Sequence, residues 1–495
     1  MPHFYADSFL TPRGFPRAGL SVLITLAIIA YSLPGSSHPD WPPQPLDPNG
    51  RIEQDPDVFR PGFGTGQSAS LPKAATTLTI VRGPYLQSGA PNSLIVRWRT
   101  SLPTDSRVRY GTAPLSLSSA TGTLGPTTEH AVLVDGLSPD TRYYYSVGNA
   151  TGALAGATDS FFFVTSPIAG VAKPTRIWVL GDSGTATFSA EWVRDAFYDF
   201  NQGPRPDLWL MLGDNAYPAG TDAQYQRAVF DMYPETLRSS VLWPTLGNHD
   251  GYSSFSDTQS GPYYDMFSLP KNGEAGGLPS ETEAYYSFDY GSLHLICLDS
   301  FHADRSATGE MMSWLGEDLA ATTQEWILAF WHHPPYSKGS HDSDFERELI
   351  DMRENALPIL EESGVDLVLC GHSHSYERSY LLDNHYGDSE SLTDESVLDS
   401  GDGRVGGDGP YRKPPGKNPH RGAVYAVCGS SGKVSPGSFD HPVMYFSLPA
   451  LGSMVLDVQE ARLDAGFLDT HGTLQDVFSI EKSASSPSGS IWRIY

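Results

Sequence analysis

Apolar residues along this chain come in short runs, and the style of those runs changes twice. Between about residues 77 and 166 they are brief and alternate with polar positions: SLIVRWRT, SRVRYG, HAVLVDGL, RYYYSVG and SFFFVTS, parted by the turn sequences GAPNS, SPDT and NATG. Period-two alternation broken by regular turns predicts a small all-β sandwich. From about residue 172 the runs become apolar at consecutive positions: RIWVLGD, DLWLMLGD, SVLWPTLGNHD, HLICLDS, EWILAFWHH and DLVLCGHSH. Strands of that kind are buried on both faces by flanking helices. The helices are read in SAEWVRDAFYDF, DAQYQRAVFDMY and FERELIDMRENALPILEESG, so this region is α/β. Residues 384–420 are rich in Gly and Asp and read as a surface loop. Four more strand-like stretches follow: GAVYAVCGS, GSMVLDV, RLDAGFLD and VFSIEK.

With 495 residues the chain is too long for one ordinary core, and two or more domains are expected. Arg13 and Arg17 precede the apolar run 18–33, which is followed by small residues; residues 1–37 therefore read as a secretory signal peptide. The run is short for a full membrane span, so export with cleavage is preferred to an uncleaved anchor. Residues 38–76, dense in Pro, Gly and Asp, read as a linker. The sandwich takes 77–167, the α/β domain 172–482, and 483–495 form a tail. Location is then secreted, periplasmic or extracellular, with no membrane contact after cleavage. The net charge of −26 argues against a nucleic-acid partner, yet it leaves room for a small anionic substrate at a metal centre. Cys297, Cys370 and Cys428 each close an apolar run, and no Cys-x-x-Cys spacing occurs. One bridge among them stays open.

The chemistry gathers where strands end, which is where open α/β sheets bind ligands. Five of the strands deliver donors there: Asp182; Asp214 with Tyr217; Asn248 with His249; His332 and His333; His372 with His374. A glycine (Gly181, Gly213, Gly247 or Gly371) precedes four of the five donor positions and permits sharp turns and close backbone approach. Carboxylate, phenolate, amide and imidazole donors without a thiolate suit hard or borderline ions. They are too many for one tetrahedral zinc, and two metal ions bridged by an Asp are the economical reading.

GDSG (181–184), GDNAY (213–217), GNHD (247–250), AFWHHPPY (329–336) and GHSHSYER (371–378) together resemble the five blocks of the purple acid phosphatases, within the calcineurin-like metallophosphoesterases. The stretch LSPDTRYYYSV resembles part of a fibronectin type III-like domain, as larger members of that family carry at their N-terminus. The resemblance implies a metallophosphoesterase domain built as a two-sheet β-sandwich flanked by helices, preceded by the all-β domain. It implies Asp182, Tyr217 and His374 on a first ion, Asn248, His332 and His372 on a second, and Asp214 bridging. Fe(III) is implied at the tyrosinate site, with Zn, Fe(II) or Mn at the other. His249 and His341 resemble the outer histidines near phosphate and leaving group, and are the catalytic candidates; Asn248 and His249 also face substrate. Block four has Ala329 where the family usually has valine, and His332 rather than His333 is chosen because it stands two residues before Pro334. The implied activity is acid phosphatase: metal-activated hydroxide attacks a small phosphate monoester directly, with inversion at phosphorus. The alternatives are a secreted phosphodiesterase or nucleotidase with the same metals, and a non-catalytic surface protein.

Tyr376 and Arg378 have two readings, a wall of the substrate pocket or a buried ion pair. Asp250 and Asp299 are expected at most to support the donors. His294, His302, His385, His420, His441 and His471 read as surface or packed residues.

Overall fold

The structure, a computed structural model, describes residues 77–483. The expected signal peptide, the linker up to residue 76 and the tail after Ser483 lie outside the described residues. Among the described residues no helix is long and apolar enough to cross a membrane.

The alternating runs form antiparallel strands. The long strand Leu94–Gly111 pairs with Ile80–Gln87, Ser119–Val134 and Arg142–Asn149, and the last of these also pairs with Gly152–Gly156 and Phe162–Val164. Their inward positions (Leu94, Val96, Trp98, Val108, Val132, Tyr145, Val147, Phe163) make a separate core. Side chains on the outer part of this unit dock it onto the rest: Arg82 and Arg99 both pair with Asp222, and Tyr85 Oη donates to the Met266 carbonyl at 2.7 Å.

The consecutive apolar runs build two seven-stranded sheets. In one, Thr175–Leu180, Leu208–Met211 and Leu242–Pro244 run parallel, and Thr175–Leu180 continues through antiparallel Gly452–Gln459, Arg462–Asp469 and Leu474–Lys482. In the other, Leu293–Cys297, Trp326–Trp331, Leu367–Cys370 and Val424–Cys428 run parallel. One apolar cluster joins the facing sides, including Val179, Leu210, Leu328, Leu369 and Ala426. The opposite face of the second sheet (Ile327, Ala329, Val368) packs on helices Glu310–Ala321 and Leu357–Glu362. Both faces are thus buried as the pattern requires, but one face is covered by the partner sheet instead of a helix. The helix Phe188–Phe200 covers the first sheet, with Phe197 stacked on Trp178 at 4.1 Å.

Two expectations need correction. The stretch 345–364 is helical but widens into a π-turn at Met352–Ala356, two residues before Pro358, whose ring nitrogen has no hydrogen to donate. Residues 384–420 are more than a surface loop: Tyr411–Lys413 is an edge strand parallel to Leu474–Lys482. Buried Lys413 holds it there, donating to the Val365 carbonyl at 2.6 Å and pairing with Asp366 at 2.7 Å. All three cysteines are free and buried, so none of the bridges left open forms.

Candidate metal centre

Three of the strand ends turn sharply at the donor. Asp182, Asp214 and His372 hold left-handed backbone angles of φ 56°, 53° and 67°. A side chain with a Cβ tolerates that region poorly, so such residues persist only where surrounding structure fixes them. The glycine before each donor makes room for the neighbouring turn. A Cβ at Gly371 would lie 2.5 Å from Asp182 Oδ2, and one at Gly213 would lie 2.6 Å from His332 Nδ1. The turns also lock together through main-chain bonds, Asp182 N to the Gly213 carbonyl at 3.1 Å and Gly371 N to the His332 carbonyl at 3.0 Å.

The donors meet in two adjoining sets. In the first, Tyr217 Oη is 3.1 Å from Asp182 Oδ1 and 3.3 Å from His374 Nε2. In the second, His332 Nε2 is 3.0 Å from Asn248 Oδ1 and 3.2 Å from His372 Nδ1. Asp214 lies between, its Oδ1 3.5 Å from His332 Nε2, and the donor atoms of Asp182, Asp214 and His332 all fall within 4.8 Å of one another. All of these are buried except Tyr217, which is half-buried.

The second set tests whether a cation fits. His332 Nδ1 is 2.8 Å from the Leu212 carbonyl, which only accepts, so that nitrogen carries the ring proton. In the neutral ring Nε2 then presents a lone pair to the Asn248 oxygen, another acceptor, at 3.0 Å. Two acceptors facing each other without a proton want positive charge between them, and the donor chemistry fits a metal ion. Burial, then the neighbouring His341, holds the His372 imidazole down to about 3, the neutral state a metal ligand needs. Tyr217 is pushed the other way, well above the usual phenol range, by burial and by the Asp182 and Asp214 carboxylates.

A second layer aims the rings. His374 Nδ1 meets Ser435 Oγ at 2.9 Å, and His372 Nε2 faces Glu346 Oε2 at 3.4 Å. Glu346 also accepts from His341 Nδ1 at 2.9 Å, so one carboxylate orients two rings. His249 Nδ1 donates to the Pro218 carbonyl at 2.7 Å and directs Nε2 toward Asp214 Oδ2, 3.8 Å away. Asp250 is a brace: Oδ2 accepts from Asn215 N, Asn215 Nδ2 and Gly247 N at 2.9–3.1 Å, and Oδ1 from Tyr225 Oη at 2.6 Å. Asp299 caps the next loop, accepting from Phe301 N and His302 N. His333, the alternative to His332, has its Nδ1 2.8 Å from Ser300 Oγ, yet one of its ring nitrogens also lies within 4.8 Å of donor atoms of His332 and His372.

Tyr376 and Arg378 are the correction. Both are fully buried, and both bind Asp476: Tyr376 Oη at 2.9 Å and Arg378 Nε at 2.6 Å. Strand geometry explains it, because Tyr376–Ser379 is an interior strand between Val424–Cys428 and Met444–Leu448. Their role is the buried ion pair, not a substrate wall. His294, read as merely packed, is clamped between Asp289 and Asp318 at 2.8 Å each. Glu346 and Ser435 were not singled out by the sequence. An acid five residues after His341 is a faint signal for the first, and no local signal exists for the second.

Residues 175–376 match the calcineurin-like phosphoesterase family, and residues 81–165 match the purple acid phosphatase N-terminal domain. The chain is similar to purple acid phosphatase 23 of Arabidopsis thaliana, 30% identical over 52% of this chain and 58% of that protein, little more than half its length. It is also similar to human acid phosphatase type 7, at 28% identity over 75% of this chain and 81% of the other. Its fold resembles a purple acid phosphatase from yellow lupin seeds with a TM-score of 0.63 at 16% identity, covering 83% of this chain and 78% of that one.

Proposed function

We propose that this chain, a purple acid phosphatase-like member of the calcineurin-like phosphoesterases, hydrolyses phosphate monoesters at a two-metal centre. The observation that carries the reading is the acceptor-to-acceptor meeting of His332 Nε2 and Asn248 Oδ1 with His372 Nδ1 3.2 Å away, beside the convergence of Asp182, Tyr217 and His374. Asp182, Tyr217 and His374 would hold one ion, Asn248, His332 and His372 the other, with Asp214 shared. Bound there, two cations supply charge for the phosphate oxygens and make water acidic enough to attack phosphorus at mild pH. The buried phenol of Tyr217 beside two carboxylates ionises only against a highly charged cation, which supports Fe(III) at its site. Imidazole and amide donors at the other suit Zn, Fe(II) or Mn.

The chain's own groups do the rest. Asn248 and His249 face the space where a phosphate would sit. With its Nδ1 proton committed to the Pro218 carbonyl, His249 reaches the site through Nε2 alone. In its doubly protonated form, His249 would give the Nε2 proton to the departing ester oxygen. His341 is steadied by Glu346 and packs on His372 at 3.7 Å between ring centres, which supports a role for it beside the second set of donors. Secretion, cleavage of residues 1–37 and a fibronectin type III-like character for residues 77–167 belong to the same reading.

The test is turnover of p-nitrophenyl phosphate against its bis ester, with metal content measured in parallel. Turnover of the monoester, lost on chelation and regained on adding metal back, is expected. Preference for the diester, or metal without turnover of either, overturns the reading.

A further inference from the structure

Tyr252 directly follows the one-turn helix Asn248–Gly251, and this places it one turn beyond Asn248 on the same face. Asn248 Nδ2 lies 3.5 Å from Tyr252 Oη, and the Tyr252 ring meets the His249 ring edge-on at 5.2 Å. On its other side is Phe301, 6.4 Å away and edge-on. Phe301 is seated tightly under the turn, since a Cβ at Gly251 would stand 2.4 Å from its ring. The wall continues outward through His302, 4.5 Å from Phe301, to Phe255, stacked on His302 at 6.1 Å and 11°. Tyr252 and Phe255 nevertheless remain 43% and 52% exposed. A run of aromatic rings therefore leads from the histidine beside Asp214 to solvent. The wall beyond Tyr217 is different, a cavity of about 550 Å³ lined by Thr185, Glu191, Arg194, Arg227 and Asp231.

Resting on the phosphatase reading above, we infer that Tyr252 is a specificity-determining residue that selects monoesters of flat, aromatic alcohols. His249 meets the departing oxygen, and the group attached to that oxygen then lies beside the ring flanking His249. A planar aryl group covers the exposed tyrosine and is held by apolar contact and offset stacking, whereas a hydroxylated alkyl chain gains little there. Phe301 keeps the tyrosine ring from folding away.

The experiment compares kcat/KM for 2-naphthyl phosphate and glycerol 2-phosphate in the wild type, Tyr252→Ala and Tyr252→Phe, with metal content matched. Stacking plus lost apolar cover converts to roughly tenfold, so Tyr252→Ala should lower the naphthyl-to-glycerol ratio about tenfold, mainly through the naphthyl KM. Tyr252→Phe keeps the ring and should hold the ratio within about twofold. An unchanged ratio in the alanine variant, or an equal loss in both variants, overturns the inference and leaves the phosphatase reading standing. A wild type that turns over neither ester overturns both.

Discussion

Asp182, Asp214 and His372 occupy left-handed backbone angles that cost non-glycine residues about 1–3 kcal/mol each. The interlocked turns hold them there, and side chains so fixed keep a donor set in place before any ion arrives. Tyr217 adds a phenol to that set. Tyr217→Phe should leave the fold unchanged by circular dichroism, while the iron-loaded protein loses visible absorption; a spectrum identical to wild type would remove Tyr217 from the metal. Glu346 acts one step further out, through His341 and His372. Carboxylates that orient metal-binding imidazoles are worth roughly 10- to 100-fold in activity or affinity. Glu346→Gln should therefore lower kcat/KM by a factor in that range and weaken retention of one ion of the pair under chelation. An unchanged rate with full metal retention would make Glu346 a surface acid only.

Strands decide which polar residues reach the centre. The ends of Thr175–Leu180, Leu208–Met211, Leu242–Pro244, Trp326–Trp331 and Leu367–Cys370 all open onto it. These strands were legible because unbroken apolar runs closing on glycine and a donor are a local signal. Tyr376–Ser379 was not: only its pairing with Val424–Cys428 and Met444–Leu448 shows that Tyr376 and Arg378 point to Asp476, about a hundred residues on. Ser435 and Tyr411 were hidden for the same reason, since long-range pairing leaves no periodicity in the sequence. The Arg378–Asp476 pair has both side chains fully buried, so removing one partner strands a charge. Asp476→Asn should cost about 3–5 kcal/mol, read as a lower urea midpoint. KM should not move under conditions where the variant is folded. A raised KM with an unchanged midpoint would return Arg378 to the substrate.

For the whole molecule, buried titratable groups of opposite kinds bound the stable range from both sides. The net charge is −26 at pH 7, and acidification relieves that self-repulsion. His294, buried yet hydrogen-bonded to Asp289 and Asp318, is raised from 6.5 to about 9 despite its desolvation. Its contribution is complete below pH 6.5 and disappears as pH climbs through 9. Burial raises Glu361, which accepts from Tyr425 and Tyr386, from 4.5 to about 7. The folded state keeps that proton while the unfolded chain releases it, so stability again declines between pH 4.5 and 7. The opposing groups begin in the same range: burial holds His130 and His385 at about 4 and His441 at about 3, so below pH 6.5 the unfolded chain takes up protons that the folded state refuses. Asp222, held down by Arg99, and Asp344, both at about 2, add to the loss in stronger acid. Stability should therefore peak near pH 6.5, where the losses at the three buried histidines below that pH outweigh the Glu361 gain, and fall both toward pH 4 and toward pH 9. Urea midpoints across that range measure it. His294→Gln should flatten the upper slope, removing on the order of 3 kcal/mol at pH 6 and almost nothing at pH 10, and Glu361→Gln, which removes the group that opposes the histidine losses, should steepen the fall toward acid. A midpoint that rises from pH 7 to 9, or an upper slope unaltered by His294→Gln, would show that the clamp between Asp289 and Asp318 does not govern the alkaline loss.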